Sequence, residues 1–167
     1  VIVLEAWSDE ATFYIWNGAE YKPEKSKEGF SYEDFDFRNS PYWKDPKGMI
    51  EKLHEKGKKL VLWQIPVFKG MEPDRTSEQL DLDKEYAIEH GLAVLNKDGT
   101  PYEIPKGNWF EGSYIPDFTN EKTREFWFRK RQYLTDIGVD GFKTDGGEFI
   151  YSKDVLFSDG TDGEEGK

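Results

Sequence analysis

The chain contains no cysteine, and that absence excludes disulfides and thiolate metal sites. It leaves the redox compartment undetermined, with the cytoplasm slightly favoured. Histidine is almost as scarce: His54 and His90 stand far apart with no motif around them, and both read as helix-surface residues. Basic charge is outweighed, 23 lysines and arginines against 34 acids in 167 residues, a formal net charge of −11. No Lys/Arg cluster interrupts that field, so neither nucleic acid nor an anionic membrane is expected as a partner. Long apolar runs are missing too: none approaches the ~20 residues a spanning helix needs. Aromatic residues, by contrast, are plentiful at 16%. They serve equally as core filler or as faces on which sugar rings stack.

The length suits one domain with a sizeable core. Val1 to Trp7 reads as a strand without polar alternation, as expected of one buried on both faces of a parallel sheet. Alternation puts Val1, Val3, Glu5 and Trp7 on one face. On pattern alone, Glu5 also fits a strand-end residue reaching solvent. With no initiator Met and a strand on its first residue, the chain is expected to be a piece of a longer one. Residues 8–42 form an irregular connection of the length seen in functional or disordered loops, and its aromatic residues argue against disorder.

Asp45-Pro46 then opens a helix that Gly57 stops. A strand over residues 59–65 follows, with Trp63 near its carboxyl end as either a core or a ligand-facing residue. Ser77 caps a second helix ended by Gly91, and Lys97-Asp98-Gly99 is the turn of a small hairpin. Thr119 or Asn120 caps a third helix, with Phe126, Tyr133, Leu134 and Ile137 on one face and Gly138 at its end. After Tyr151 the chain turns polar, and residues 158–167 read as an acidic loop or tail beyond a single unit over 1–157.

The stretch Gly141-Phe142-Lys143-Thr144-Asp145-Gly146-Gly147-Glu148 carries the most chemistry. Lys143 and Asp145 lie two apart on a strand and share a face. The ammonium is expected to keep the carboxylate ionised, and two glycines leave open backbone in front of it. An ionised Asp at a strand's carboxyl end suits a nucleophile, although the same residues fit a solvated turn. Strands alternating with helices, and aromatic, acidic loops after each strand, predict an α/β chain forming a partial (β/α)8 TIM barrel. A complete barrel takes ~250 residues, so about half of one is expected, with open sheet edges that invite self-association.

Residues 142–148 resemble the nucleophile motif Phe-Lys-Thr-Asp-Phe-Gly-Glu of family-31 glycoside hydrolases, the α-glucosidases and α-xylosidases, departing only at Gly146. Lys59 to Pro66 resembles the family's strand motif ending Trp-Ile-Asn-Pro, with Ile65 where Asn often stands. Asp117-Phe118-Thr119-Asn120 resembles its Asp-Phe-Thr-Asn. The order and spacing match along essentially the whole chain. The resemblance implies a retaining α-glycosidase barrel with Asp145 as catalytic nucleophile. It also implies a substrate-binding set of Lys143, Trp63, Glu5 (where the family usually has Asp) and the neighbouring Trp7. It implies an α-linked oligosaccharide or glycoside as substrate and no cofactor. The family's general acid/base lies on a later strand and has no counterpart here, so the chain alone is expected to be inactive. Two other classes fit: a non-catalytic carbohydrate-binding barrel relative, and a metal-dependent barrel in which Glu5, Asp145 and Glu148 hold Mg²⁺.

Overall fold

The computed structural model describes residues 1–164. Its first sheet is built from β1 (Ile2–Leu4), β2 (Leu60–Gln64) and β4 (Gly141–Thr144), all parallel, in the order β1-β2-β4. Parallel neighbours need crossover connections. Between β1 and β2 the chain runs through a 3₁₀ turn (Tyr32–Asp34) and α1 (Pro46–Glu55); between β2 and β4 it runs through α2 (Glu78–Glu89), β3 (Leu95–Asn96) and α3 (Glu121–Asp136). Among the described residues this sheet has three strands. Between β2 and β4, β3 pairs with a strand that follows β4 to form a second, two-stranded sheet.

Local chemistry sets the helix ends. The Asp45 carboxylate accepts from the Gly48 amide at 2.9 Å, the Ser77 hydroxyl from Leu80, and the Asn120 side chain from Lys122. Gly57, Gly91 and Gly138 follow the three helices with φ of +66°, +65° and +107°, a backbone region that L side chains avoid. Thr119 is not the cap: both its amide and its hydroxyl donate to Asp117.

Register fixes the two faces of the main sheet. Leu60 and Leu62 of β2 point away from the open side and are wholly buried with Ile50 of α1 and Tyr133 and Leu134 of α3. Burying each such leucine contributes about 1.5–3 kcal/mol. The opposite face carries Val3, Val61 and Gly141 as one row of paired positions. Here β1 departs from the expectation of burial on both faces, because Val3 is 43% exposed.

The 8–44 connection is ordered, as its aromatics indicate: Tyr14, Trp16, Phe35 and Phe37 are buried in the same core as Leu60 and Leu62. The expected hairpin forms, with Asn96 donating to the Thr100 carbonyl and Tyr102 to that of Val94. Its β3 also pairs antiparallel with β5 (Val155–Leu156), a strand with no sequence signal in its polar surroundings. Asp117, 1% exposed, accepts from the amide and hydroxyl of both Thr119 and Ser158, so the start of the acidic segment is tied to the fold. Residues 165–167 of that segment lie outside the described residues. Among the described residues no helix is long and apolar enough to cross a membrane.

Candidate active site

The β2–β4 register places Trp63 beside Lys143, and the Asp145 amide extends the ladder by donating to the Gln64 carbonyl at 2.8 Å. Trp63, Lys143 and Asp145 therefore crowd the carboxyl end of the sheet's open face. Glu5, just past the end of β1, completes the group by accepting from the Lys143 ammonium at 2.8 Å.

Each oxygen of Asp145 has its own donor. The Trp63 indole N–H reaches Oδ2 at 2.9 Å and the Gly146 amide reaches Oδ1 at 2.9 Å. These hold the carboxyl below the ordinary aspartate range, the Trp63 indole most and the Gly146 amide next. Partial desolvation opposes them. Lys143, expected from the sequence to be the main influence, contributes least among these causes, because its ammonium is engaged by Glu5 and its own pKa is raised chiefly by that bond. Both partners of the Lys143–Glu5 pair are about half exposed, 46% and 58%, so the pair itself adds little stability.

Gly146 and Gly147 adopt φ of +70° and +115°. A Cβ on Gly146 would lie 2.6 Å from Phe149 Cζ and 3.5 Å from Trp109 Cζ3. The one departure from the resembled nucleophile motif thus sits where Phe149 and Trp109 occupy the space of a side chain.

Trp7 is placed differently from the expectation. Strand β1 ends at Leu4, so the alternation that would put Trp7 beside Glu5 is broken. Its ring is 1% exposed and packs edge-on against Trp16 at 4.9 Å. Its indole N–H donates to the Trp63 carbonyl at 3.0 Å, while its own carbonyl accepts from the Trp43 indole at 2.9 Å. Trp7 therefore reaches the site through the backbone of Trp63. Three indoles in series, Trp43, Trp7 and Trp63, lead to Asp145.

The proposed carboxylate trio does not assemble. Among the described residues no three His, Cys, Asp or Glu side chains could hold a metal ion. Glu5 is turned to Lys143 and Asp145 to Trp63 and Gly146. His54 does more than decorate a helix surface: its Nε2 lies 2.8 Å from Asp140 Oδ2, which also accepts from the Leu60 amide at the start of β2.

A hollow of about 300 Å³ opens on this face, lined by Glu5, Phe13, Trp63, Lys69, Trp109 and Phe110 among others. Beneath it lies a buried polar network. Gln64 donates to the carbonyls of Phe13 (2.6 Å) and Trp63 (3.0 Å) and accepts from Arg131 Nε at 2.6 Å. Arg131 also donates to the carbonyls of Trp127 and Thr12 and lies 3.6 Å over the Trp127 ring. Burial pushes its guanidinium down to about 9. Asp83 accepts from Tyr14 and Gln79 and pairs with Lys130 at 3.3 Å, all buried. The signal for this network is the placing of Lys130 and Arg131 between Trp127 and Tyr133, on the turns of α3 that carry its apolar face.

The chain is 47% identical over 165 residues to an isomaltosyltransferase of Sporosarcina globispora, covering 98% of this chain and 15% of that protein. It is 42% identical over 166 residues to a 1,3-alpha-isomaltosidase of Kribbella flavida, covering 99% and 22%. Among solved structures, a cycloalternan-forming enzyme from Listeria monocytogenes in complex with a pentasaccharide substrate superposes with a TM-score of 0.91. Identity there is 46%, with 98% of this chain and 15% of that one covered. A cycloalternan-degrading enzyme from Trueperella pyogenes in complex with a covalent intermediate gives 0.91 at 40% identity, covering 98% and 22%. The chain therefore spans between about a seventh and a quarter of the length of these relatives. The model of the glycosyl hydrolases family 31 TIM-barrel domain matches residues 11–165, and the chain belongs to that family.

Proposed function

We propose that this chain is the nucleophile-bearing part of a retaining α-glycosidase barrel acting on α-linked glucosyl oligosaccharides. The observation that carries this reading is Asp145, whose two oxygens each accept one N–H while the carboxyl is held ionised at the carboxyl end of a parallel sheet. An ionised carboxylate can attack an anomeric carbon. The new ester bond to Asp145 forms as the glycosidic C–O bond breaks. A second carboxylic acid ~5–5.5 Å away gives its proton to the departing oxygen. Water then attacks the same carbon, releasing Asp145 and returning a proton to that second group. Glu5 and Lys143, paired with each other, offer an acceptor and donors to sugar hydroxyls beside the attacked carbon. The acid/base group is supplied by the whole protein from outside these residues, so the chain by itself should not turn over aryl α-glycosides.

The names of the relatives support a glucosyl substrate, since isomaltosyl groups are what the transferase and the isomaltosidase are named for. The test is to trap the intermediate in the full-length protein with a fluorinated α-glucosyl fluoride, digest it and locate the label by mass spectrometry. The label is expected on Asp145, and Asp145→Ala should abolish turnover. Label on any other residue overturns the assignment.

A further inference from the structure

The one departure from the resembled nucleophile motif puts a glycine directly after Asp145. Packing accounts for the glycine itself, since a Cβ there would lie 2.6 Å from Phe149 Cζ. The same glycine changes the chemistry of the carboxyl group beside it. In an Asp-Gly pair no side chain crowds the glycine nitrogen, and the backbone turns freely. That nitrogen can close on the preceding carboxyl carbon to give a five-membered imide. Water opens the imide on either side, and one of the two openings leaves the main chain running through the side-chain carbon, as isoaspartate.

Five such pairs occur, at Asp98, Asp140, Asp145, Asp159 and Asp162. Asp98, Asp159 and Asp162 each accept from the amide two residues on, at 2.9 Å. Asp140 accepts from the distant Leu60 amide and lies against His54 Nε2, while Gly141 is paired with Val61 in the sheet. At Asp145 the carboxylate instead folds back on the amide that follows it, with the Gly146 nitrogen 2.9 Å from Oδ1. The sheet ladder ends one residue earlier, where the Asp145 amide donates to Gln64, so β4 does not hold the Gly146 amide. Gly146 and Gly147 are exposed and both have positive φ, which leaves the backbone free to turn and open to water. Nitrogen and carboxyl group are thus kept in the proximity that lets an intramolecular step compete with an intermolecular one. As a carboxylate, with the Trp63 indole on Oδ2, the group is a poor electrophile. A glycosyl ester of Asp145 has lost that charge, and its sugar-bearing oxygen can leave.

We propose that Asp145-Gly146 is a self-modification site, at which the Gly146 nitrogen occasionally attacks the glycosyl ester before water releases the sugar. The bond from the nitrogen to Cγ forms as the bond from Cγ to the sugar-bearing oxygen breaks. The amide proton passes to solvent, and the sugar departs with that oxygen, which solvent protonates to a hydroxyl group. Water then opens the imide, at Cγ to restore Asp145 or at the main-chain carbonyl to give isoaspartate. In the second case the attacking carboxylate is displaced and the molecule is spent. The lifetime of the protein is then counted in turnovers rather than in hours. The inference rests on the glycosidase reading above.

The experiment incubates the full-length protein in water labelled with heavy oxygen, with an aryl α-glucoside and, for the same time, without it. Digestion in ordinary water and mass spectrometry then read the peptide holding residues 142–148. Ordinary turnover leaves both carboxyl oxygens in place, because water attacks the anomeric carbon. Passage through the imide adds one solvent oxygen. Isoaspartate carrying that oxygen is expected at position 145, at least about tenfold above the sugar-free sample. It should rise in step with the loss of activity while Asp98 and Asp159 stay unchanged. No isoaspartate above the sugar-free level, or an equal rise at Asp98, overturns the proposal. A trapped label away from Asp145 removes the ester and with it both readings, whereas a label on Asp145 without isoaspartate overturns this proposal alone. In the Asp145→Asn variant the side-chain amide should cyclise, losing ammonia, faster in the folded protein than in urea. Slower conversion in the folded protein would show that the contact is not a reactive one and would overturn the proposal.

Discussion

The Gln64–Arg131 bond is the most demanding test of how the fold supports the site. Both side chains are 3% exposed, and their 2.6 Å contact joins α3 to β2 and, through Gln64, to the backbone of Phe13 and Trp63. Arg131→Met keeps much of the volume but leaves Gln64 Oε1 and the Thr12 carbonyl without their donor. Two buried acceptors stripped in this way cost about 1–3 kcal/mol each. Part is recovered because a cation with no carboxylate in direct contact need no longer be buried, and we expect a net loss of about 2 kcal/mol. Gln64→Leu strips the Arg131 Nε donor and the Phe13 carbonyl; the Trp63 carbonyl keeps Trp7. A buried charged donor is the costlier orphan, so about 3 kcal/mol is expected. With both groups removed, no cation is left without its acceptor, and the double variant should cost about 3 kcal/mol, well short of the 5 or so that independent effects would give. Native-state hydrogen exchange in the full-length protein reads these values locally, at the amides of β2 and α3. A coupling within about 0.5 kcal/mol of zero would refute the reasoning.

Two further outcomes follow from the same structure. Trp63→Phe keeps an aromatic ring but removes the first cause of the lowered Asp145 pKa, so the acidic limb of kcat/KM in the full-length protein should move to higher pH; an unmoved limb would show that Trp63 does not tune the carboxyl. Asp140, held down to about 2 by the Leu60 amide and then by His54, has a folded pKa below its unfolded value. Its contribution of about 1 kcal/mol should be complete above about pH 4 and fade as pH falls through about 2. Asp140→Ala should therefore lower exchange protection at the start of β2 at about pH 6 and matter much less at about pH 2.5, and equal loss at both would contradict the assignment.

How far the sequence reveals this molecule depends on which interactions are local. Asp45, Ser77 and Asn120 act on amides two or three residues away, and Gly57, Gly91 and Gly138 on their own backbone, so the helix ends can be read directly. The stripe of Phe126, Tyr133, Leu134 and Ile137 is legible for the same reason, since helical spacing alone decides it. What escapes is pairing across the chain. Strand β5 is two residues in a polar stretch, and only its partner β3, some sixty residues earlier, makes it a strand. At the site, proximity in sequence suggested Lys143 as the influence on Asp145. The donor that dominates is Trp63, eighty-two residues away and adjacent through the β2–β4 register. The placing of Trp7 was missed for a shorter-range reason: the strand stops three residues before it, and its side chain turns inward.

The line of tryptophans has a consequence for how this barrel can change. Each indole grips the main chain of the next, from Trp43 to Trp7 and from Trp7 to Trp63, and the last grips the Asp145 carboxylate. The long excursion after the first strand thus serves as a gauge block for the proposed nucleophile. An insertion or deletion there would be transmitted to Asp145 as a change of position, even if nothing in the excursion ever met a sugar.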